Sequence, residues 1–123
     1  MKSRGYTLVE LMVVVAIIGI IAAIGYPSYE GYVSSTYRAQ AVGDLKACAL
    51  ALDRYYSNGF TYVGADTSSV CTLSSPPQGV AKYNLSYQSL TKTDYTIRAT
   101  PVGQACGSGN CIELTADGTQ TNL

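Results

Sequence analysis

The stretch RGYTLVELMVVVAIIGIIAAIGYP, residues 4–27, constrains this chain more than any other feature. From Leu11 to Tyr29, nineteen residues carry no formal charge. With Glu10 set aside the run reaches back to Tyr6, long enough to cross a bilayer as a helix. Lys2 and Arg4 precede it, so the positive-inside rule keeps the N-terminus in the cytoplasm and sends the remainder outward. The alternative is a cleaved secretory signal, with Ala22, Ala23 and Gly25 forming its cleavage region. Two features oppose it. A carboxylate inside a hydrophobic segment costs roughly 2.5 to 3.5 kcal/mol at a helix centre, less near an end, and a disposable signal has no reason to carry that cost. The helical pattern also continues beyond the membrane-length run.

Past Pro27 the composition changes, yet Val33, Tyr37, Ala41, Leu45, Cys48, Leu52 and Tyr55 recur at steps of three and four, which is one face of a helix. Asn58 and Gly59 supply a left-handed stop, so the pattern predicts one helix from about Tyr6 to about Ser57, about 78 Å long. Its first half is lipid-soluble and its second amphipathic. Pro27 lacks an amide donor and Gly19 and Gly25 lower helix propensity, so the middle of the rod is expected to be kinked or locally weak. Tyr26, Tyr29 and Tyr32, at steps of three where apolar gives way to polar, read as an aromatic belt at the headgroup level. GFTYVGADTSSVCTLSSPPQG, residues 59–79, has no period and reads as a surface loop pinned by Cys71. Alternation follows: Tyr83, Leu85 and Tyr87 on one strand, Tyr95, Ile97 and Ala99 on the next, Ile112 and Leu114 on a third. The fold class is α+β, with an antiparallel meander covering the amphipathic half of the helix.

A chain of 123 residues with 47% apolar content supplies one modest domain and one span, and no large enzyme core. Eight basic and eight acidic side chains cancel, so the chain as a whole exerts no pull on a polyanion. The absence of histidine removes the commonest general base and the commonest metal ligand, and no signature places a lysine or carboxylate base beside a hydroxyl nucleophile. No enzymatic activity, cofactor or metal is expected. Asp44 and Asp53 read as solvated positions on the helix, and Asp66, Glu113 and Asp117 are too scattered to hold calcium. Four cysteines after an export-like segment point to disulfides in an oxidising compartment. Of three possible pairings, proximity favours Cys106 with Cys111 across GSGN, leaving Cys48 to meet Cys71. Zinc is disfavoured, because no CxxC knuckle exists.

RGYTLVELMVVVAIIGIIAAIGYPSY resembles the N-terminal signature of type IV pilins and pseudopilins, and the order of long helix, variable loop, antiparallel sheet and Cys-bearing end is similar to a pilin. The cysteine arrangement and the late CIELTADGTQTNL are most similar to the small PilE-type pilins. The resemblance implies a leader over residues 1–5, a transmembrane and assembly half-helix over 6–28, and a periplasmic globular domain over 29–123. It also implies that prepilin peptidase cuts after Gly5, that Tyr6 becomes a methylated N-terminus where relatives most often carry Phe, and that Glu10 is the assembly carboxylate. The resemblance further implies that the helix can loosen between Gly19 and Pro27 when packed into a filament. The implied partners are other copies or other pilins, the peptidase, the assembly platform and the inner membrane, with the mature subunit in a surface pilus serving adhesion, motility or DNA uptake.

Physics supports the role implied for Glu10. Cleavage exposes an amine on Tyr6, and a carboxylate in a neighbouring subunit neutralises it; a subunit docked in the wrong register leaves a buried ion alone. The alternative assignments are a pseudopilin of a type II secretion system and a DNA-binding competence pilin. For DNA the sequence offers Lys82, Lys92 and Arg98 in or beside the sheet, with Lys46 on the helix. After loss of Lys2 and Arg4, six basic side chains face eight acidic ones, a weak background for a polyanion.

Overall fold

The computed structural model describes residues 4–123, so Met1, Lys2 and Ser3, and with them most of the expected leader, lie outside the described residues. The chain divides into two compact units, one ending at Ser35 and one comprising Thr36–Leu123. Helix α1, Leu8–Gly59, contributes residues to both.

In the first unit residues 4–7 are irregular and the remainder belongs to α1. Apart from half-buried Val33, every described residue of this unit is exposed in the single chain. Pro27 lies inside α1. Its missing amide leaves the carbonyl of Ala23 without the usual partner, and one residue on, the Ser28 hydroxyl donates to the Ile24 carbonyl at 3.5 Å.

The second unit has the core that the first lacks. Five strands follow one another in space as in sequence, each antiparallel to the last: β1 Ser74–Ser75, β2 Tyr83–Leu90, β3 Tyr95–Pro101, β4 Ile112–Thr115 and β5 Gln120–Asn122. Strand period sorts the side chains by face. Tyr95, Ile97 and Ala99 of β3 are buried, as are Ile112 and Leu114 of β4, while Thr96, Arg98, Thr100 and Glu113 point the other way. In register, Ile97 lies opposite Leu114 and Ala99 opposite Ile112. The helix meets this face with Ala41, Leu45, Cys48 and Leu52, a stripe at helical spacing, and these residues form one apolar cluster with Leu85, Tyr62 and the β3 and β4 residues. Each large aliphatic side chain closed off from water here contributes on the order of 1.5 to 3 kcal/mol.

The three alternating strands stand where the sequence places them, and the structure adds two more. β1 is only two residues long and β5 is polar and fully exposed, so neither carries an apolar alternation. β5 is defined by its turn instead. The Asp117 carboxylate accepts from the Thr115 hydroxyl, the Thr119 amide and the Thr119 hydroxyl, and Gly118 supplies the left-handed conformation at φ 88°. Those donors hold the exposed carboxyl below its ordinary range, Thr115 contributing most.

Two further expectations are corrected. The left-handed residue that ends α1 is Phe60, at φ 54°, one position beyond Gly59. Its amide returns to the Tyr56 carbonyl at 2.6 Å and its ring meets the Tyr56 ring edge-on, so a local bond and an aromatic contact hold a residue ill-suited to that conformation. Asp44 is also not simply a solvated position. It is half-buried, accepts from the Ser75 hydroxyl at 2.5 Å and takes the Gln40 amide, which fastens the residue 59–79 loop to the helix. Asp53, though exposed, takes the Tyr62 hydroxyl at 3.2 Å.

Candidate functional site: the assembly segment and the head surface

At the start of α1 two residues satisfy each other. The Thr7 amide donates to Glu10 Oε2 at 2.9 Å and the Glu10 amide donates to Thr7 Oγ1 at 3.2 Å. This is a capping box, in which a hydroxyl residue before the first turn and a carboxylate three positions later pair reciprocally with amides the helix cannot use. In the free chain Glu10 therefore has a local task, and its negative charge sits at the positive end of the helix dipole. Thr7 is the residue that sequence reading overlooked, although the signal, a threonine three residues before a glutamate ahead of an apolar run, stands in TLVE. Upstream of the cap the Gly5–Tyr6 bond lies in irregular, exposed backbone, and a side chain at Gly5 would meet nothing within 4 Å. Tyr6 is exposed as well.

Along the segment, added Cβ atoms at Gly19 and Gly25 would likewise meet nothing. No contact within the chain requires glycine at either place. Tyr26, Tyr29 and Tyr32 are all exposed in the single chain.

In the head, both disulfides pair as proximity predicts: Cys48 with Cys71, Cα atoms 5.0 Å apart, and Cys106 with Cys111, Cα atoms 5.3 Å apart. The first ties the loop to the helix. The second closes a loop also held by Asn110, whose side chain accepts from the Gly107 amide and donates to the Ala105 carbonyl. The candidate DNA-binding cations do not gather into a stripe. Arg98 lies on the outward sheet face with Nε and Nη2 both on Glu113 Oε2, at 2.9 and 2.7 Å. Lys82 sits over the Tyr37 ring, 5.3 Å from its centroid. Lys92 is exposed in the β2–β3 turn, ten residues of largely extended chain away, and Lys46 is exposed on the helix. Among the described residues no group of acidic or cysteine side chains is arranged to hold a metal ion.

Burial governs the ionisation of Tyr62 and Tyr95 near the end of the helix. Tyr62 stacks on Tyr56 with centroids 4.8 Å apart and meets Tyr95 edge-on at 4.9 Å. Desolvation pushes the Tyr95 phenol up to about 12, with smaller pushes from Asp53, Tyr62 and Asp94. Tyr62 is raised by the same burial and then by Asp53.

Residues 1–26 match the family model described as a prokaryotic N-terminal methylation motif. Residues 27–115 match the model described as "Type IV minor pilin ComP, DNA uptake sequence receptor". The chain is 44% identical over 67 residues to the type IV major alpha-pilin of Moraxella bovis, which covers 54% of this chain and 42% of that protein. It is 36% identical over 77 residues to a fimbrial protein of Neisseria meningitidis serogroup B, covering 63% of this chain and 45% of that one. The matched stretch thus spans less than half the length of these relatives. Among solved structures, the non-core minor pilin PilV of Neisseria meningitidis shares the fold at a TM-score of 0.59 and 16% identity, covering 75% of this chain and 88% of that one. With well over half of its residues matching the ComP model and its first 26 matching the methylation motif, the chain belongs to the type IV pilin family.

Proposed function

We propose that this chain is a structural subunit of a type IV pilus: held in the inner membrane as a precursor, cut by prepilin peptidase after Gly5, methylated on Tyr6 and polymerised through its N-terminal segment. One observation carries this reading. From Leu11 to Tyr29 the helix is apolar on all sides and exposed on all sides, so none of the described residues covers it. Lipid covers such a surface before assembly, and like segments cover it afterwards. Gly19 and Gly25, which no internal contact requires, permit close approach of neighbouring helices, and Pro27 offers a place to loosen. Once cleavage exposes the Tyr6 amine, Glu10 exchanges part of its bonding to Thr7 for the amine of an adjacent subunit. The accessible Gly5–Tyr6 bond supports the cut position. The domain limits at residues 1–5, 6–28 and 29–123 belong to the same proposal. The test is mass spectrometry of sheared surface filaments. This chain is expected among the subunits with methyl-Tyr6 as its first residue; filaments that lack it, or a product trimmed near Gly25 and free in solution, would overturn the reading.

The match of residues 27–115 to the ComP model favours a second reading, in which the head of the same subunit receives DNA. Of the four candidate cations, Lys46 and Lys92 are exposed, whereas Arg98 is held by Glu113 and Lys82 lies over the Tyr37 ring. Binding that weakens steeply with added salt, and weakens further in Lys92→Ala, supports it; no binding at low salt removes it.

A further inference from the structure

The Thr36–Leu123 unit carries a knob and a groove, both defined by contacts within that unit. The knob is Phe60. Its φ of 54° lies in the left-handed region, which is unfavourable for a bulky side chain, although Gly59 stands one position earlier and would take that conformation freely. No burial offsets this strain: Phe60 is 69% exposed, with its ring edge-on to Tyr56. Val63, 55% exposed, follows Tyr62, which stacks on the same Tyr56 ring. A backbone outlier that holds an aromatic side chain out in water points to a use outside its own chain. The groove, about 260 Å³, lies between α1 and the residue 59–79 loop. Ala47 and Ala51 line it from the helix, Val70 and Pro77 from the loop, and the Cys48–Cys71 disulfide bridges the two. Asp44 lines it as well, but its carboxylate already accepts from the Ser75 hydroxyl and the Gln40 amide, so the groove does not call for a cation. The rest is mostly small apolar side chain, and a cavity of about 150 Å³ is enough for a benzene ring. Knob and groove do not meet within one chain. Gly59, the last residue of α1, lies eight residues past Ala51, about 12 Å along the axis, and the Phe60 ring is turned to Tyr56.

We propose that Phe60 of one copy seats in the Ala47–Ala51–Val70–Pro77 groove of a second copy, so that heads lock to one another in the filament. The inference rests on the reading of this chain as a filament subunit. Knob and groove are different surfaces, so the contact is heterologous: a copy that has given its knob still has a free groove, and the series stays open, as a filament requires. Both partners are apolar, and an aromatic anchor entering a pocket of small side chains is the arrangement that concentrates binding energy at an interface. One ring covers far less area than a stable interface between free proteins needs. The contact therefore acts between subunits that packing of the N-terminal segments has already brought to high local concentration, and it sets how one head sits against the next.

Photocrosslinking of the full chain tests this. With p-benzoylphenylalanine in place of Phe60, irradiation of sheared surface filaments should give a covalent dimer whose linked peptides join residue 60 to residues 44–51 or 70–77. The same probe placed at Ala47, which is exposed, should reach residues 56–63 of another copy. Ala47→Trp, which fills the groove, should lower the dimer yield from the residue 60 probe roughly tenfold, as expected for losing one buried anchor. Gln88→Trp, at an exposed position on β2, should leave that yield unchanged. The proposal is overturned if both probes link elsewhere on a second copy, link to a different subunit or give no dimer, and equally if Ale47 substitution by Trp leaves the yield intact. If the unsubstituted chain is itself absent from sheared filaments, the subunit reading fails first and the contact between heads with it.

Discussion

Two stretches of α1 place apolar residues in opposite circumstances. Between Leu8 and Ile24 large aliphatic side chains project all round and stay exposed, whereas between Ala41 and Leu52 a single stripe is sealed by the chain's own sheet. The hydrophobic effect acts on both, but only the second stretch finds its partner within the molecule. The difference teaches that continuous helical backbone need not be one energetic unit. The head owes its stability to contacts it carries with it, and the N-terminal segment owes its stability to whatever surrounds it.

The separation can be broken most sharply at Glu10. Glu10→Ala should abolish filament formation while the thermal transition of the head stays put; normal filaments would remove the register role assigned to the carboxylate. Next comes Leu52→Ala, which opens a cavity in the sealed stripe and should cost about 3 kcal/mol in denaturant unfolding of the head, with membrane insertion unaffected. The disulfides sharpen the picture within the head. Losing Cys48–Cys71, which closes 23 residues, should cost about 3 kcal/mol, and losing Cys106–Cys111, which closes 5, about 2 kcal/mol. Equal losses would argue against chain entropy as their main contribution.

Alkaline titration probes the same core. Tyr95 binds its proton more tightly folded, at about 12, than at the ordinary value of 10.0, so its contribution is complete below pH 10 and is lost as pH rises through 12. The loss amounts to about 3 kcal/mol, to be followed by tyrosinate absorbance alongside circular dichroism. Asp117 acts in the other direction. Its lowered value adds to stability above the ordinary carboxylate range, and that addition fades as pH falls through the folded value. The smallest effect is expected from Phe60→Gly, which relieves a left-handed residue but gives up an edge contact on Tyr56, for a net gain of no more than about 1 kcal/mol.

Much of this was legible in one dimension because periodicity reports burial. The stripe through Ala41, Leu45, Cys48 and Leu52 and the alternation through Tyr95, Ile97 and Ala99 follow from the helix and strand periods alone. The resemblance of residues 4–29 gave the candidate assembly residues, and spacing within the chain was enough to pair the cysteines. β1 and β5 escaped because short polar strands carry no apolar alternation, and their existence depends on hydrogen bonds to a neighbour already in place. Thr7 differs: its signal is local, because a threonine three residues before a glutamate caps the helix through bonds within one turn.

By itself, then, the sequence determined which residues must avoid water and with what period, where cysteines could meet, and that one segment would need a partner. Tertiary structure alone decided that Asp44 and Asp53 tie loop to helix, that Arg98 is held by Glu113, and that Lys82, Tyr37 and Val102 share one end of the head. Those are pairings between residues distant in the chain. Periodicity fixes the face a side chain occupies, but only the closing of the sheet onto the helix fixes which polar group it meets there.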